Sequence, residues 1–293
     1  MLSIVLKKTW NAFHLDVDFA IPKGKITTLF GPSGAGKSSI LRFISGLERA
    51  DDGMICYDNA TWFDNERNIH LSPQQRSIGF VFQDYALFPH MTIEQNVSYG
   101  IDEKKNKKNE VEKLLSLVGL SGYENYYPSQ LSGGQKQRVA LIRALAKKPD
   151  LLLMDEPLSA VDWETRRQLQ EDLKRIIRSF GVTTLYVTHD VAEVYKLADK
   201  VVVLQSGKIV KQGTPEDVFL GKRLSTRIQL AGKVVAIEYD SIMAIVTVLH
   251  AEQYFKTLID TDEVQRLNLK IGDDVVIGAK SSDVVLFKAL SMV

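Results

Sequence analysis

The stretch Gly31-Pro32-Ser33-Gly34-Ala35-Gly36-Lys37-Ser38 decides the fold of this 293-residue chain. It follows an apolar, β-branched run that ends at Phe30, and it precedes a helical pattern that contains Leu41 and Ile44. A glycine-rich loop between a strand and a helix lets backbone N–H groups point at phosphates, and the helix N-terminus adds positive potential. The pattern therefore predicts a nucleotide phosphate site. A glycine turn that only joins a strand to a helix is the alternative interpretation.

Two residues of this loop are predicted to act through their side chains. Lys37 supplies positive charge to the β- and γ-phosphates, and the hydroxyl of Ser38 takes one Mg²⁺ position. The predicted ligand is thus ATP with Mg²⁺. The residues predicted to contact its phosphates are Gly31, Ser33, Gly34, Ala35, Gly36, Lys37, Ser38 and Ser39.

Acidic side chains follow a second apolar run, Leu151-Leu152-Leu153-Met154, and make the glycine-turn interpretation improbable. Asp155 is predicted to bind Mg²⁺, and Glu156 to orient the attacking water or accept its proton. His189 ends a third strand, Thr183 to Thr188, and is predicted to contact the γ-phosphate. A purely structural histidine is the alternative. Open α/β sheets bind ligands at the carboxyl ends of their strands, so these groups should meet at one edge.

From about residue 3 to 213, β-branched runs alternate with helical patterns, which is typical of an α/β fold with a mostly parallel sheet. Strand signals are nearly absent between Gln83 and Lys148, so we expect an inserted helical subdomain at about 84–148. The predicted elements are the strands Lys25–Phe30, Leu151–Met154, Thr183–Thr188 and Lys200–Leu204, and the helices Glu110–Val118 and Gln135–Lys147.

The pattern changes after Pro215-Glu216-Asp217, and short strands dominate from Gly232 onward. They predict a small C-terminal β-barrel (OB-like) or sandwich. We therefore expect a nucleotide-binding domain at 1–216 and a β-barrel domain at 224–293. The predicted strands of the second domain are Lys233–Tyr239, Ile242–Leu249, Phe255–Ile259, Asp274–Ala279 and Val284–Phe287.

Composition excludes some classes of function. The 37 basic and 36 acidic residues nearly cancel, so no whole-chain field favours nucleic acid, and none is expected as a partner. The single Cys56 cannot form an intramolecular disulfide, which fits a reducing cytoplasm. No apolar stretch reaches the roughly 20 residues of a membrane span, and none follows the N-terminus as a signal peptide would.

The stretch Leu131-Ser132-Gly133-Gly134-Gln135, upstream of the Leu151–Glu156 run, resembles the signature of ABC ATPases. Gln83 resembles the Q-loop of that family, Ser159-Ala160-Val161-Asp162 its D-loop, and His189 its switch histidine. Val161 departs from the usual leucine without changing the chemistry. The resemblance covers the first strand to about residue 216. It implies a P-loop ATP hydrolase in which Gln83 also contacts Mg²⁺ and serves catalysis.

The signature segment opens a predicted helix and so offers a second anion-binding helix terminus. In the family this terminus comes from a second copy of the chain, in a head-to-tail dimer that holds two ATP molecules. The resemblance then implies that the partner's ATP is contacted by Ser132, Gly133, Gly134, Gln135 and Asp162.

The resemblance also implies partners at the cytoplasmic face of the membrane. These are a transmembrane permease subunit and, indirectly, a solute-binding protein. The apolar loop Asp84–His90 would face the permease, although packing within the helical subdomain is an equal alternative. Trp10 is the predicted ring for stacking on adenine, with Phe13 as the runner-up, because a flat ring contributes affinity without base-specific bonds.

The segment Ser225-Thr226-Arg227-Ile228-Gln229-Leu230 resembles a signature of molybdate-binding barrels. The side chains that could bind an oxyanion are those of Ser225, Thr226, Arg227, Lys280 and Ser281. Ile228 replaces an asparagine of that signature, and one barrel alone would need a partner chain to complete a site. An accessory barrel that only stabilises the dimer is therefore the alternative.

The leading hypothesis is the ATPase subunit of an oxyanion importer, with molybdate ahead of tungstate or sulfate. An importer for a sugar, a polyamine or iron is the second hypothesis. A soluble ABC ATPase of translation or DNA repair usually has paired cassettes or a long coiled-coil insertion, and this sequence has neither. A non-catalytic oxyanion-storage module is disfavoured by the intact set of Lys37, Asp155, Glu156 and Ser132.

Overall fold

The computed structural model describes residues 1–101, 106–159, 163–219, 228–239 and 243–279. The chain divides into two compact units. The first comprises Met1–His189 and Lys196–Thr214, and the second comprises Asp190–Tyr195 and Pro215–Val293. Among the described residues, no helix has both the length and the apolar character needed to cross a membrane.

The described strands and helices are numbered here in chain order. The strands are β1 Leu2–Trp10, β2 Phe13–Ile21, β3 Ile26–Phe30, β4 Asp52–Tyr57, β5 Ala60–Asp64, β6 Ile69–His70, β7 Ile78–Val81, β8 Leu151–Asp155, β9 Thr183–Thr188, β10 Lys200–Gln205, β11 Lys208–Gly213, β12 Ile228–Tyr239, β13 Met243–His250, β14 Gln253–Asp260 and β15 Asp274–Ala279. The helices are α1 Lys37–Ser45, α2 Ile93–Ser98, α3 Lys107–Leu117, α4 Gly133–Ala146, α5 Trp163–Phe180, α6 Val191–Leu197, α7 Pro215–Phe219 and α8 Thr261–Arg266.

Within its described residues, the first unit contains an eleven-stranded sheet of order β6-β5-β4-β1-β2-β11-β10-β3-β9-β8-β7. Strands β10, β3, β9, β8 and β7 are parallel, as the sequence predicted. The expectation of a mostly parallel sheet is wrong for the other half, where β1, β2, β4, β5 and β6 form antiparallel pairs. The reason is the short connections: only Asn11-Ala12 joins β1 to β2, and a two-residue link can join antiparallel strands alone.

Parallel pairing aligns the carboxyl ends of the central strands. Phe30 pairs with Thr188, Asp155 pairs with Val187, and Val81 pairs with Met154. The residues that follow each strand therefore begin at the same edge of the sheet. This register, which the sequence alone does not fix, positions the candidate site.

The sheet lies between two hydrophobic clusters. Along β8, Leu152 and Met154 belong to the cluster with α3, α4 and α5, whereas Leu151 and Leu153 belong to the cluster with α1 and β1. All four are completely buried. Successive side chains of a strand point to opposite faces, and full burial of each is worth about 1.5–3 kcal/mol.

The predicted helices Glu110–Val118 and Gln135–Lys147 correspond to α3 and α4, which begin three and two residues earlier. Asn106 and Ser132 supply the N-caps that set these earlier starts. The sequence did not predict α2. Helix α4 approaches β7 so closely that a Cβ atom on Gly79 would lie 2.5 Å from the Ala144 carbonyl oxygen. Only glycine permits this contact.

Within the described residues of the second unit, the strands form an antiparallel sheet of order β14-β13-β12-β15. Its small core contains Val234, Ala244, Val246, Val248 and Val264, the last from α8. Four of the five predicted strands are present in this sheet. The fifth, at 284–287, lies outside the described residues, so closure into a barrel stays a prediction.

Candidate functional site

The loop between β3 and α1 folds tightly around its own lysine. Gly36 caps α1 with φ of 102°, a left-handed conformation that favours glycine. Lys37 is only 5% exposed, and its Nζ donates to the carbonyl oxygens of Gly31 (2.8 Å) and Pro32 (2.9 Å). The predicted phosphate lysine is therefore fixed over the loop at the start of α1.

Ser38 and Asp155 meet at the same edge, although 117 residues separate them. The Ser38 hydroxyl donates a 3.0 Å hydrogen bond to Oδ1 of Asp155. Burial raises the pKa of the Asp155 carboxyl above its usual value, the nearby Glu156 adds to this, and the bond from Ser38 opposes it. A hydroxyl and a carboxylate are the hard oxygen donors that Mg²⁺ prefers, so these residues fit such an ion.

Glu156 is placed between two basic groups. Its Oε1 lies 3.7 Å from Nζ of Lys37, and its Oε2 lies 3.1 Å from Nδ1 of His189. Its backbone is left-handed, with φ of 41°, and its N–H donates to the Val187 carbonyl. Left-handed non-glycine residues are uncommon and often mark functional sites. In Glu156 this conformation occurs together with a half-buried carboxylate that contacts Lys37 and His189.

The arrangement brings together Glu156 and His189, two of the three residues predicted to serve catalysis. A carboxylate at this position can accept a proton from a water molecule, and an exposed imidazole beside it can donate to a phosphate oxygen. Gln83 is exposed and follows β7 by two residues at the same edge. Among the described residues, no hydrogen bond joins the Gln83 side chain to Ser38 or Asp155, which are bonded to each other.

The signature residues cap α4, as the sequence predicted for a helix start. The Ser132 hydroxyl accepts from the Gln135 N–H (3.3 Å), and Oε1 of Gln135 accepts from the Ser132 N–H (2.9 Å). Ser132 and Gly133 are exposed, and the first turn carries no acidic residue. This helix terminus is therefore accessible and keeps its positive potential.

The two candidate adenine rings have different neighbours. Trp10 is half-buried and stacks on Phe43 of α1, with ring centroids 5.8 Å apart. Phe13 borders the phosphate loop itself, because a Cβ atom on Gly36 would lie 3.3 Å from its ring. This proximity was not visible in the sequence, since it depends on the turn between β1 and β2. The ring centroids of Trp10 and Phe13 lie 5.9 Å apart.

Several predicted site residues lie outside the described parts of the chain. They are Asp162 of the D-loop segment, and the oxyanion candidates Ser225, Thr226, Arg227, Lys280 and Ser281.

Comparison with known proteins agrees with this geometry. Residues 15–159 match the family model described as ABC transporter. The sulfate/thiosulfate import ATP-binding proteins CysA of Nocardia farcinica and Mycobacterium tuberculosis are 47% and 48% identical to the chain over 208 residues. These matches cover 70% and 69% of this chain, and 61% and 57% of the relatives. The chain thus spans about three fifths of the length of these relatives.

Solved structures show the same fold. CbiO1 from Clostridium perfringens, described as part of the ABC transporter complex cbiONQ, superimposes with a TM-score of 0.66 at 28% identity, covering 75% of this chain and 91% of that one. The ATP-binding cassette MJ0796, in a dimeric post-hydrolysis state bound to ADP and Pi, superimposes with a TM-score of 0.60 at 28% identity. This match covers 73% of this chain and 99% of that one. Over the matched residues, this chain thus has the fold and the motifs of an ABC ATPase domain.

Proposed function

We propose that the chain is the ATP-hydrolysing subunit of an ABC importer for a tetrahedral oxyanion. The observation that carries this proposal is the meeting of Lys37, Ser38, Asp155, Glu156 and His189 at one sheet edge. The match to the ABC transporter family supports it independently.

Each residue has a proposed part in hydrolysis. Lys37 and the N–H groups of the phosphate loop, residues 31–39, bind the β- and γ-phosphates. Ser38, Asp155 and Gln83 would hold Mg²⁺, which neutralises phosphate charge when bound. Glu156 orients water for in-line attack and accepts its proton, while His189 holds Glu156 at 3.1 Å and contacts the γ-phosphate. Trp10 stacks on adenine.

The chain is proposed to act as a homodimer. Dimeric structures of the similar cassette MJ0796 support this assembly. The start of α4, where Ser132 and Gly133 are exposed, would then contact the ATP of the partner subunit through Ser132, Gly133, Gly134 and Gln135, together with Asp162. The proposed domain limits are 1–216 for this nucleotide-binding domain and 224–293 for the C-terminal β-barrel.

The proposed partner is a permease in the membrane, at whose cytoplasmic face the chain would bind, with a solute-binding protein acting indirectly. The names of the curated relatives favour sulfate or thiosulfate as the solute. The segment at 225–230 favours molybdate. Sulfate, thiosulfate and molybdate are all tetrahedral oxyanions, and the ATP site does not differ with the solute that is transported. The similarity of the ATPase domain therefore supports only the class of solute, a tetrahedral oxyanion.

The first test is hydrolysis of Mg²⁺-ATP by the purified full-length chain. Lys37→Ala should reduce ATP binding and turnover, whereas Lys113→Ala, which removes an exposed lysine of α3, should not. Hydrolysis that is absent in the wild type, or that survives Lys37→Ala, would overturn the proposal. The solute is tested in cells that lack the chain. Uptake of labelled sulfate and molybdate is compared after complementation with the wild type or with Glu156→Gln.

A further inference from the structure

Arg143, near the end of α4, holds the backbone that follows Gln83. Its Nη2 donates to the Tyr85 carbonyl at 2.9 Å, and its Nη1 donates to the Ala86 carbonyl at 2.7 Å. The guanidinium carbon also lies 5.3 Å from the ring centroid of Phe88. One half-buried side chain thus contacts three neighbouring residues of this segment.

The segment needs such support because its backbone is strained. Tyr85 and Ala86 are consecutive left-handed residues, with φ of 64° and 45°, and neither is glycine. The Tyr85 N–H donates to the Phe82 carbonyl at 3.0 Å, which closes a turn that contains Gln83. The two carbonyls bound by Arg143 therefore fix the exit of the turn that presents Gln83.

A second polar side chain holds the far end of the same segment. Asn96 of α2 is completely buried, accepts from the Phe88 N–H at 2.9 Å, and donates to the carbonyls of Phe88 and Met91. With this end anchored on α2, the contact from Arg143 decides where the end next to Gln83 lies.

The same helix carries Ser132 as its N-cap. Eleven residues separate Ser132 from Arg143, about 16 Å along a helix axis. Helix α4 is firmly packed, since Val139, Ala140 and Ile142 are completely buried. A continuous, packed helix would be displaced as a unit, so a displacement of its first turn would also displace Arg143 and the carbonyls it binds.

We propose that Arg143 is a positioning residue that couples the start of α4 to Gln83. Contact of Ser132 with the partner subunit's nucleotide would then set the position of Gln83 in the chain's own site. This inference rests on the proposed function, which assigns Ser132 and Gln83 to nucleotide sites.

Arg138 provides a matched control, because it is a half-buried arginine on the same helix with different partners. Its Nη2 donates to Asp172 of α5 at 2.8 Å, and its Nη1 donates to the Val118 carbonyl at 3.2 Å. Replacing either arginine removes two hydrogen bonds of α4, but only Arg143 contacts the segment after Gln83.

The test is a double-mutant cycle in the full-length chain, using Arg143→Met, Arg138→Met and Gln83→Ala. Arg143→Met should lower kcat roughly 10- to 100-fold, as expected when a catalytic group is misplaced by about 1 Å, with ATP affinity within about threefold. In the Gln83→Ala background, the same change should lower kcat less than about twofold. Arg143→Lys should recover part of the loss, because an ammonium still donates to a carbonyl.

Hydrogen exchange gives a readout that does not depend on activity. Arg143→Met should speed exchange of the amides in 83–91, and Arg138→Met should not. Equal exchange in the two variants, or kcat effects of Arg143→Met and Gln83→Ala that multiply independently, would overturn the coupling. Absence of hydrolysis in the wild type would instead overturn the proposed function, and the exchange result would still decide whether Arg143 holds the segment.

Discussion

Nδ1 of His189 lies 3.1 Å from Oε2 of Glu156, although 33 residues separate them in the chain. The parallel pairing of β8 with β9 creates this contact, because Asp155 is aligned with Val187 and both strands end at the same edge. Lys37 reaches the other oxygen of the carboxylate at 3.7 Å. Glu156 is thus held between a cation and an imidazole, where its charge can act on a water molecule.

Glu156→Gln is expected to separate ATP binding from hydrolysis. The amide keeps the shape of the side chain but cannot accept a proton, so turnover should fall at least about 100-fold. ATP affinity should stay within about threefold, and an ATP-bound dimer should accumulate. Phosphate release, equilibrium binding and light scattering measure these quantities. Glu171→Gln makes the same chemical change on an exposed side chain of α5 and should leave all three near wild type.

Ser132→Arg and Lys37→Ala should complement each other when mixed. Ser132→Arg places bulk and charge where the partner's nucleotide would bind, and Lys37→Ala weakens ATP binding within its own chain. A mixed dimer has at most one intact site, so ATP hydrolysis should return to part of the wild-type rate. Proven mixed dimers that stay inactive would contradict composite sites.

Thr92→Arg is the control for the lost cap. Thr92 caps α2 with the same reciprocal pairing to Gln95 that Ser132 makes to Gln135. Each substitution should cost about 1 kcal/mol of stability. Thr92→Arg should hydrolyse ATP by itself, whereas Ser132→Arg should do so only when mixed with Lys37→Ala.

Trp10→Ala is expected to weaken ATP binding at least about fivefold, since base stacking on an aromatic ring contributes about 1–3 kcal/mol. Affinity for a fluorescent ATP analogue measures the loss. Tripolyphosphate has no base, so its affinity should not change, which separates lost stacking from a disturbed phosphate loop. A larger loss with Phe13→Ala would assign the adenine contact to the ring beside Gly36.

Asp199→Asn should reduce stability at neutral pH. Burial disfavours the ionised carboxylate, but the Ile26 N–H (2.9 Å) and Arg178 (2.6 Å) outweigh burial and hold the pKa below its usual value. Charge-assisted hydrogen bonds and partly exposed ion pairs together suggest a loss of about 1–2 kcal/mol.

The pH dependence of this effect has a definite sign. Because the folded pKa is depressed, the stabilisation is complete above the ordinary value of 3.8 and is lost as pH falls through the folded value. The stability difference between the wild type and Asp199→Asn, measured by urea unfolding, should therefore stay constant from pH 7 down to the ordinary value of 3.8 and narrow as the pH falls further. If the unfolding free energies of the wild type and Asp199→Asn differ by the same amount at every pH, the lost stability comes from packing and not from the carboxylate charge.

Short-range features of the chain could be predicted from its residues alone. The phosphate loop, the apolar strands Leu151–Met154 and Thr183–Thr188, and the helix Gln135–Lys147 were all visible, because their signals span ten or so neighbouring residues. The antiparallel half of the sheet was not predicted, although the two-residue link Asn11-Ala12 was a usable signal.

The tertiary structure decided which distant residues meet. No local pattern states that β9 lies between β3 and β8, yet this order and its register bring His189 to Glu156 and Ser38 to Asp155. Likewise Arg143 is one of several arginines in the sequence, and only packing of α4 against β7 places it on the carbonyls of Tyr85 and Ala86. Residue type and spacing specify the chemical groups and the local elements, whereas contacts across many residues depend on strand order and side-chain packing, which form only in the folded chain.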